Sequence, residues 1–134
     1  MKFTSVRLIV RDIRLVVPFY EQVTGVTSVW YTEDFAEVPT EGGTLAIASE
    51  RTLSLFSVGN AEEVVHRSAI IELLVEDVDA TFVRVAPFVK NVLQPPTTMP
   101  WGNRSLLFQD PEGNLVNFFT PVSAAAKQKF ARYL

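Results

Sequence analysis

A short stretch of this chain is written twice. Val6-Arg-Leu-Ile-Val-Arg-Asp12-Ile13 returns as Ile71-Glu-Leu-Leu-Val-Glu-Asp77-Val78, with Leu73 on Leu8, Val75 on Val10 and Asp77 on Asp12. Alternate residues of a strand point to opposite faces. One face is apolar in both copies: Val6, Leu8 and Val10, then Ala69, Ile71, Leu73 and Val75. That face predicts packing against a helix. The other face carries Ser5, Arg7 and Ile9, then Ile70, Glu72 and Leu74, and predicts wetter surroundings. The aspartate that follows offers a carboxylate to the free N–H groups of a helix start. Each copy therefore predicts a strand, a cap and a helix.

The rest of the chain fits two such modules, about 1–60 and 66–121, with a terminal helix over about 123–134. Strands are predicted at 2–10, 26–32, 44–49 and 52–58. A helix is predicted over 13–24, with Leu15, Val16, Phe19, Tyr20 and Val23 at helical spacing, Pro18 inside it and Gly25 as its stop. Residues 33–43 are acidic and rich in turn formers and read as a loop, with a short strand near 36–38. In the second module the strand is predicted over 67–75 and the helix over 78–86. A strand is expected at 89–94. Pro95, Pro96 and Pro100 make the next stretch a loop or an edge segment. Strands 103–109 and 114–120 form a hairpin around Asp110-Pro-Glu-Gly113.

A chain of 134 residues is one domain by length, or two small modules sharing a core. The net charge is −3 with both signs scattered, which points away from nucleic acid and anionic membranes. No apolar run reaches a membrane span and no signal peptide is visible, so a cytoplasmic protein is expected. There is no cysteine and one histidine, His66. Zinc, iron and nickel sites draw on imidazole or thiolate. A solvated His66 is the expectation.

The strand ending in Asp12, Pro18-Phe-Tyr-Glu-Gln-Val-Thr-Gly25, the Val75-Glu-Asp-Val-Asp79 repeat and Trp101-Gly-Asn-Arg-Ser-Leu-Leu-Phe-Gln-Asp110-Pro-Glu-Gly-Asn114 resemble the vicinal oxygen chelate superfamily. This superfamily holds glyoxalase I, extradiol dioxygenases, and fosfomycin- and bleomycin-resistance proteins. The resemblance implies an α+β fold: tandem βαβββ modules forming a cupped, partly open eight-stranded barrel, usually as a homodimer. It also implies metal-ligand positions on the first and last strand of each module, which fall here on Ser5, Ser54, Ile70 and Asn117. None is His or Glu, and Ile70 has no donor atom. Neutral hydroxyl and amide oxygens do not offset the dehydration of a divalent cation.

These residues predict no catalytic group, no metal and no cofactor. They predict a small organic ligand, amphipathic or aromatic, bound for sequestration. Its polar anchors would be Ser5, Arg7, Ser54, Glu72 and Asn117. Its walls would come from Trp30, Phe35, Phe56, Ile70, Met99, Trp101 and Phe119. Arg7 and Glu72 hold matching places in the two modules. If the modules meet through a pseudo-twofold, the two are either an ion pair or anchors for a polar ligand. Two other readings stay open. One is a lyase, isomerase or dioxygenase with a relocated metal site using Glu72 and carboxylates of the acidic loop (Glu33, Asp34, Glu37, Glu41). The other is a dimeric interaction module whose cup is filled by its own side chains.

Overall fold

The computed structural model describes residues 3–52 and 69–134. The chain packs as two compact units, Met1–His66 and Arg67–Leu134. Among the described residues each unit holds one four-stranded sheet, and the two sheets repeat one topology.

In the first unit, strand β1 (Ser5–Val10) leads into helix α1 (Ile13–Thr24). Strands β2 (Val29–Thr32), β3 (Phe35–Pro39) and β4 (Thr44–Ser49) follow, in the order β1-β4-β3-β2. The last strand thus lies in the middle, parallel to β1 and antiparallel to β3. The apolar stripe of α1 is Ile13, Val16, Val17, Phe19, Tyr20 and Val23, all buried. Leu15, expected on that stripe, is 52% exposed: it falls on the opposite side of the 3.6-residue turn from Val17 and Tyr20. Pro18 lies on the exposed side and the helix runs through it. Gly25 ends the helix at φ 72°, and its N–H donates to the Glu21 carbonyl at 2.9 Å.

The acidic stretch is more regular than its composition suggests. Glu33 and Asp34 form the turn of a β2–β3 hairpin, and Phe35–Pro39 is a full strand. The reason is alternation: Ala36 and Val38 are fully buried, while Glu37 on the other face stays partly exposed. The strand expected at 52–58 lies, apart from Thr52, outside the described residues. Thr52 itself belongs to a short 3-10 turn over 50–52.

The second unit runs β5 (Ile70–Leu74), α2 (Val78–Val85), β6 (Val92–Thr98), β7 (Asn103–Gln109), β8 (Leu115–Pro121) and α3 (Ala124–Lys129). Its sheet order is β5-β8-β7-β6, again with the last strand central and parallel to the first. Asp77 caps α2 as expected, accepting from the N–H groups of Asp79 (3.0 Å) and Ala80 (3.1 Å). Asp12, its counterpart, makes no side-chain cap bond, while its carbonyl accepts from Leu15 and Val16. Pro95 and Pro96 lie inside β6, which is an edge strand with two register shifts. An edge tolerates prolines because the missing N–H would face outward.

The β7–β8 turn is built on Asp110. Its Oδ1 accepts from the N–H groups of Glu112 and Asn114, both at 2.9 Å, and its Oδ2 accepts from Asn114 Nδ2 at 2.8 Å. Gly113 takes φ 83° to close the turn. The core of the unit is Val78, Val85, Leu106, Phe108, Val116 and Phe118, with Phe108 and Phe118 edge to face at 5.0 Å. No helix among the described residues is long and apolar enough to cross a membrane.

Candidate functional site

Strand pairing decides which side chains share a sheet face. In the first unit one row runs Leu8, Ile47, Ala36, Trp30, and the next runs Arg7, Ala46, Glu37, Val29. The first row belongs to the apolar face that takes α1. The second belongs to the opposite face, together with Ser5, Ile9, Ala48 and Phe35.

Arg7 lies over the Phe35 ring, its guanidinium carbon 4.7 Å from the centroid. The two residues sit on strands separated by β4. The side chains between them are Ala46 and Ala48, small enough for a guanidinium to cross. Such stacking stabilises by about 0.5–1 kcal/mol at exposed sites. Tyr31 completes the group: its ring is 5.8 Å from that of Phe35, and its hydroxyl donates to Glu37 Oε2 at 3.3 Å. Tyr31 is 61% exposed and was not singled out by its sequence position. Trp30 was, but its pairing with Ala36 puts it on the other face from Phe35. A bulge between Trp30 and Thr32 breaks the simple alternation of β2, and the strand partner needed to fix its parity lies in the acidic stretch.

In the second unit the corresponding rows are Glu72, Asn117, Leu107, Gln94 and Leu74, Phe119, Ser105, Thr97. Asn117 Nδ2 donates to Glu72 Oε2 at 2.9 Å. That bond orients the amide and turns Asn117 Oδ1 inward, where it is enclosed without a hydrogen-bond partner. Ser105 Oγ and Asn103 Oδ1 are enclosed and unpartnered too. Ser105 is 4% exposed and Asn103 7%. An enclosed polar atom without a partner costs about 1–3 kcal/mol. Three on one face of one sheet is a concentrated deficit. In the sequence Asn103 and Ser105 look like the solvent side of an alternating strand, and only their burial marks them out.

Phe119 is covered from within the unit. Its ring lies 5.0 Å from Phe130, and Phe130 is 6.5 Å from Tyr133. The segment bearing both rings starts at Ser123, whose Oγ caps α3 by accepting from the Ala126 N–H. Trp101 occupies the tip of the β6–β7 turn and is 64% exposed, with Met99 partly buried before it. Ile70 is 49% exposed on edge strand β5. Ser54, Phe56 and His66 lie outside the described residues.

Asn117 stands beside Glu72 on β8, and Ala46 stands beside Arg7 on β4. Of the positions that the resemblance implies, Ser5, Ile70 and Asn117 offer one hydroxyl, one hydrocarbon and one amide, and Ser54 lies outside the described residues. These residues do not fit a metal ion. Among the described residues no three His, Cys, Asp or Glu side chains come together as a metal site. Of the acidic stretch, Asp34 is held by Ser49 Oγ at 2.7 Å and Arg51 at 2.6 Å, and Glu37 by Tyr31.

Three solved structures place the fold. A glyoxalase/bleomycin resistance protein/dioxygenase family enzyme from Burkholderia phytofirmans PsJN matches with TM-score 0.80 at 17% identity, over 89% of this chain and 98% of that one. A glyoxalase/bleomycin resistance protein/dioxygenase from Nocardioides matches with TM-score 0.73 at 21% identity, over 92% and 85%. TioX from Micromonospora sp. ML1 matches with TM-score 0.73 at 25% identity, over 91% and 100%. No curated protein matches the sequence. The model of one protein family matches residues 2–118. The chain belongs to the Glyoxalase/Bleomycin resistance protein/Dioxygenase superfamily.

Proposed function

We propose that this protein binds a small organic molecule without a metal ion and acts by sequestering it. The observation that carries the reading is the chemistry of the strand faces. The positions that the family resemblance implies for metal ligands fall on Ser5, Ser54, Ile70 and Asn117, none of them His or Glu. Beside them stand groups suited to organic ligands: the Arg7–Phe35–Tyr31 stack and the Glu72–Asn117 pair. Aromatic and apolar surface with a few fixed polar groups is the usual make-up of a small-molecule site. A homodimeric, cytoplasmic protein is part of the same proposal and rests on the family resemblance.

The test is metal content and ligand response together. Purified untagged protein, exposed to zinc, nickel, manganese and iron(II) and then desalted, is expected to retain none of them. Its melting temperature is expected to be the same with each metal and with chelator. About one retained ion per chain, with a raised melting temperature, overturns the reading. A screen of aromatic and amphipathic compounds followed by tryptophan fluorescence is expected to give saturable binding that Phe35→Ala weakens.

A further inference from the structure

On the binding reading above, we propose that Phe119 is a subsite for an uncharged aromatic ring, and that Phe130 is its resident occupant, carried on a segment that detaches to admit a ligand. Three observations within the second unit lead there. The first is the ring contact. Phe119 shares a sheet face with Asn117, and its ring is met by that of Phe130, centroids 5.0 Å apart and planes tilted by 56°. Phe119 is 5% exposed, whereas on the same face Ile70 and Glu72 are exposed and Leu107 and Asn117 partly so. The second is how little holds the segment that brings Phe130 there. Of residues 124–134, only Ala126 and Phe130 are not exposed. They stand four residues apart, on one side of the turn. Ala126 anchors the near end: a Cβ on Gly102 would lie 3.3 Å from the Ala126 Cβ, and the Gly102 carbonyl accepts from the N–H groups of Val122 and Ser123. Phe130 is the anchor that reaches over the face. Helix α3 has 6 residues, too few to stand by itself in water. A segment with so few buried contacts opens before the rest of a fold.

The third observation is polar. The end of the face that the segment crosses holds Ser105, the cross-strand neighbour of Phe119, and Asn103, next to Gly102. Ser105 Oγ and Asn103 Oδ1 are enclosed without a hydrogen-bond partner. That works against the closed arrangement and favours one in which this end is open to water. The ligand class follows from what surrounds Phe119. Its row across the sheet is Leu74, Phe119, Ser105 and Thr97, without a charge. A flat ring laid on Phe119 reproduces the tilted contact that Phe130 makes now, and a saturated ring of the same size does not.

The experiment titrates phenol and, separately, cyclohexanol into the full-length, isotope-labelled protein. The backbone amides of Ser105 and Phe119 are followed by NMR. Hydrogen exchange is recorded for the amides of Lys127 and Phe130, which donate to the Ser123 and Ala126 carbonyls. Without a probe, these two are expected to exchange faster than the amides of β7 and β8. Phenol is expected to shift Ser105 and Phe119 saturably and to speed exchange at Lys127 and Phe130, because ring and segment compete. Phe130→Ala is expected to bind phenol about tenfold tighter, the gain when the closed form holds about nine molecules in ten. Unchanged or weaker phenol binding in Phe130→Ala overturns the occupant role. So does slower exchange at Lys127 and Phe130 under phenol in the unsubstituted protein, a readout that does not need the variant to fold. An equal response to cyclohexanol overturns the aromatic preference. If neither probe moves Ser105 or Phe119, the subsite falls, while the binding reading is decided apart from it, by metal retention and by Phe35→Ala in the first unit.

Discussion

At the scale of single residues, the clearest electrostatic device is the Asp34–Arg51 pair. Hydrogen bonds from Arg51, then from Ser49, hold the Asp34 carboxyl below the ordinary aspartate value. A group with a depressed folded pKa binds its proton less readily in the folded chain than in the unfolded one. It adds stability above the unfolded value of about 3.9, and that stability drains away as pH falls through the lower folded value. Removing the guanidinium with Arg51→Gln is expected to move the Asp34 midpoint upward. A carbon-detected NMR titration of the carboxyl group measures it; an unmoved midpoint assigns the shift elsewhere. Asp79 is lowered the same way by Arg104. These pairs join residues distant in sequence, and no local pattern announces them. The Arg7–Phe35 stack was hidden for a related reason: both residues were visible as candidates, but their meeting depends on Ala46 and Ala48 lying between them.

At the scale of elements, caps and turns carry much of the specificity. Asp77→Ala is expected to destabilise the protein by about 1 kcal/mol, with Asp77→Asn losing much less, because the amide oxygen still accepts from Asp79 and Ala80. Denaturant unfolding measures both. Gly102 is a harder constraint. It takes φ 93°, and a Cβ there would lie 2.0 Å from Ser123 Oγ, the cap of α3. Gly102→Ala is expected to cost about 1–3 kcal/mol and to loosen α3 together with the Phe130–Phe119 contact. Loss of protection in the 123–130 amides by hydrogen exchange would show it. The repeated strand–cap–helix units and the Asp110 turn were legible because their signals are local. Strand β3 was legible only as a short stretch near Ala36 and Val38, because its acidic residues masked the full alternation.

At the scale of the whole molecule, two copies of one topology each bury a separate apolar layer. In the second unit that layer centres on Phe108 and Phe118. Phe118→Ala is expected to cost about 3–5 kcal/mol. The cost should fall as a lower midpoint in denaturant at unchanged slope, if the packing of the denatured chain is unaffected. The fold was readable from sequence because an internal repeat states it twice. The site was readable only in part. Within their own units, Arg7 and Glu72 are marked out by the repeat, whereas burial alone distinguishes Asn103 and Ser105.

The central position of the last strand in each sheet has a consequence for how the chain is made. Glu72 and Asn117 meet across 45 residues, and among the described strands of its sheet β5 pairs with β8 alone. On the ribosome, β5 must wait for β8 while α2, β6 and β7 emerge. Assembly of the second sheet cannot proceed strand by strand from its beginning; it closes when the final strand arrives. A chain stopped just before Leu115 would therefore not be a slightly frayed protein. Its second sheet would lack its middle strand and present unpaired strands to any other chain nearby.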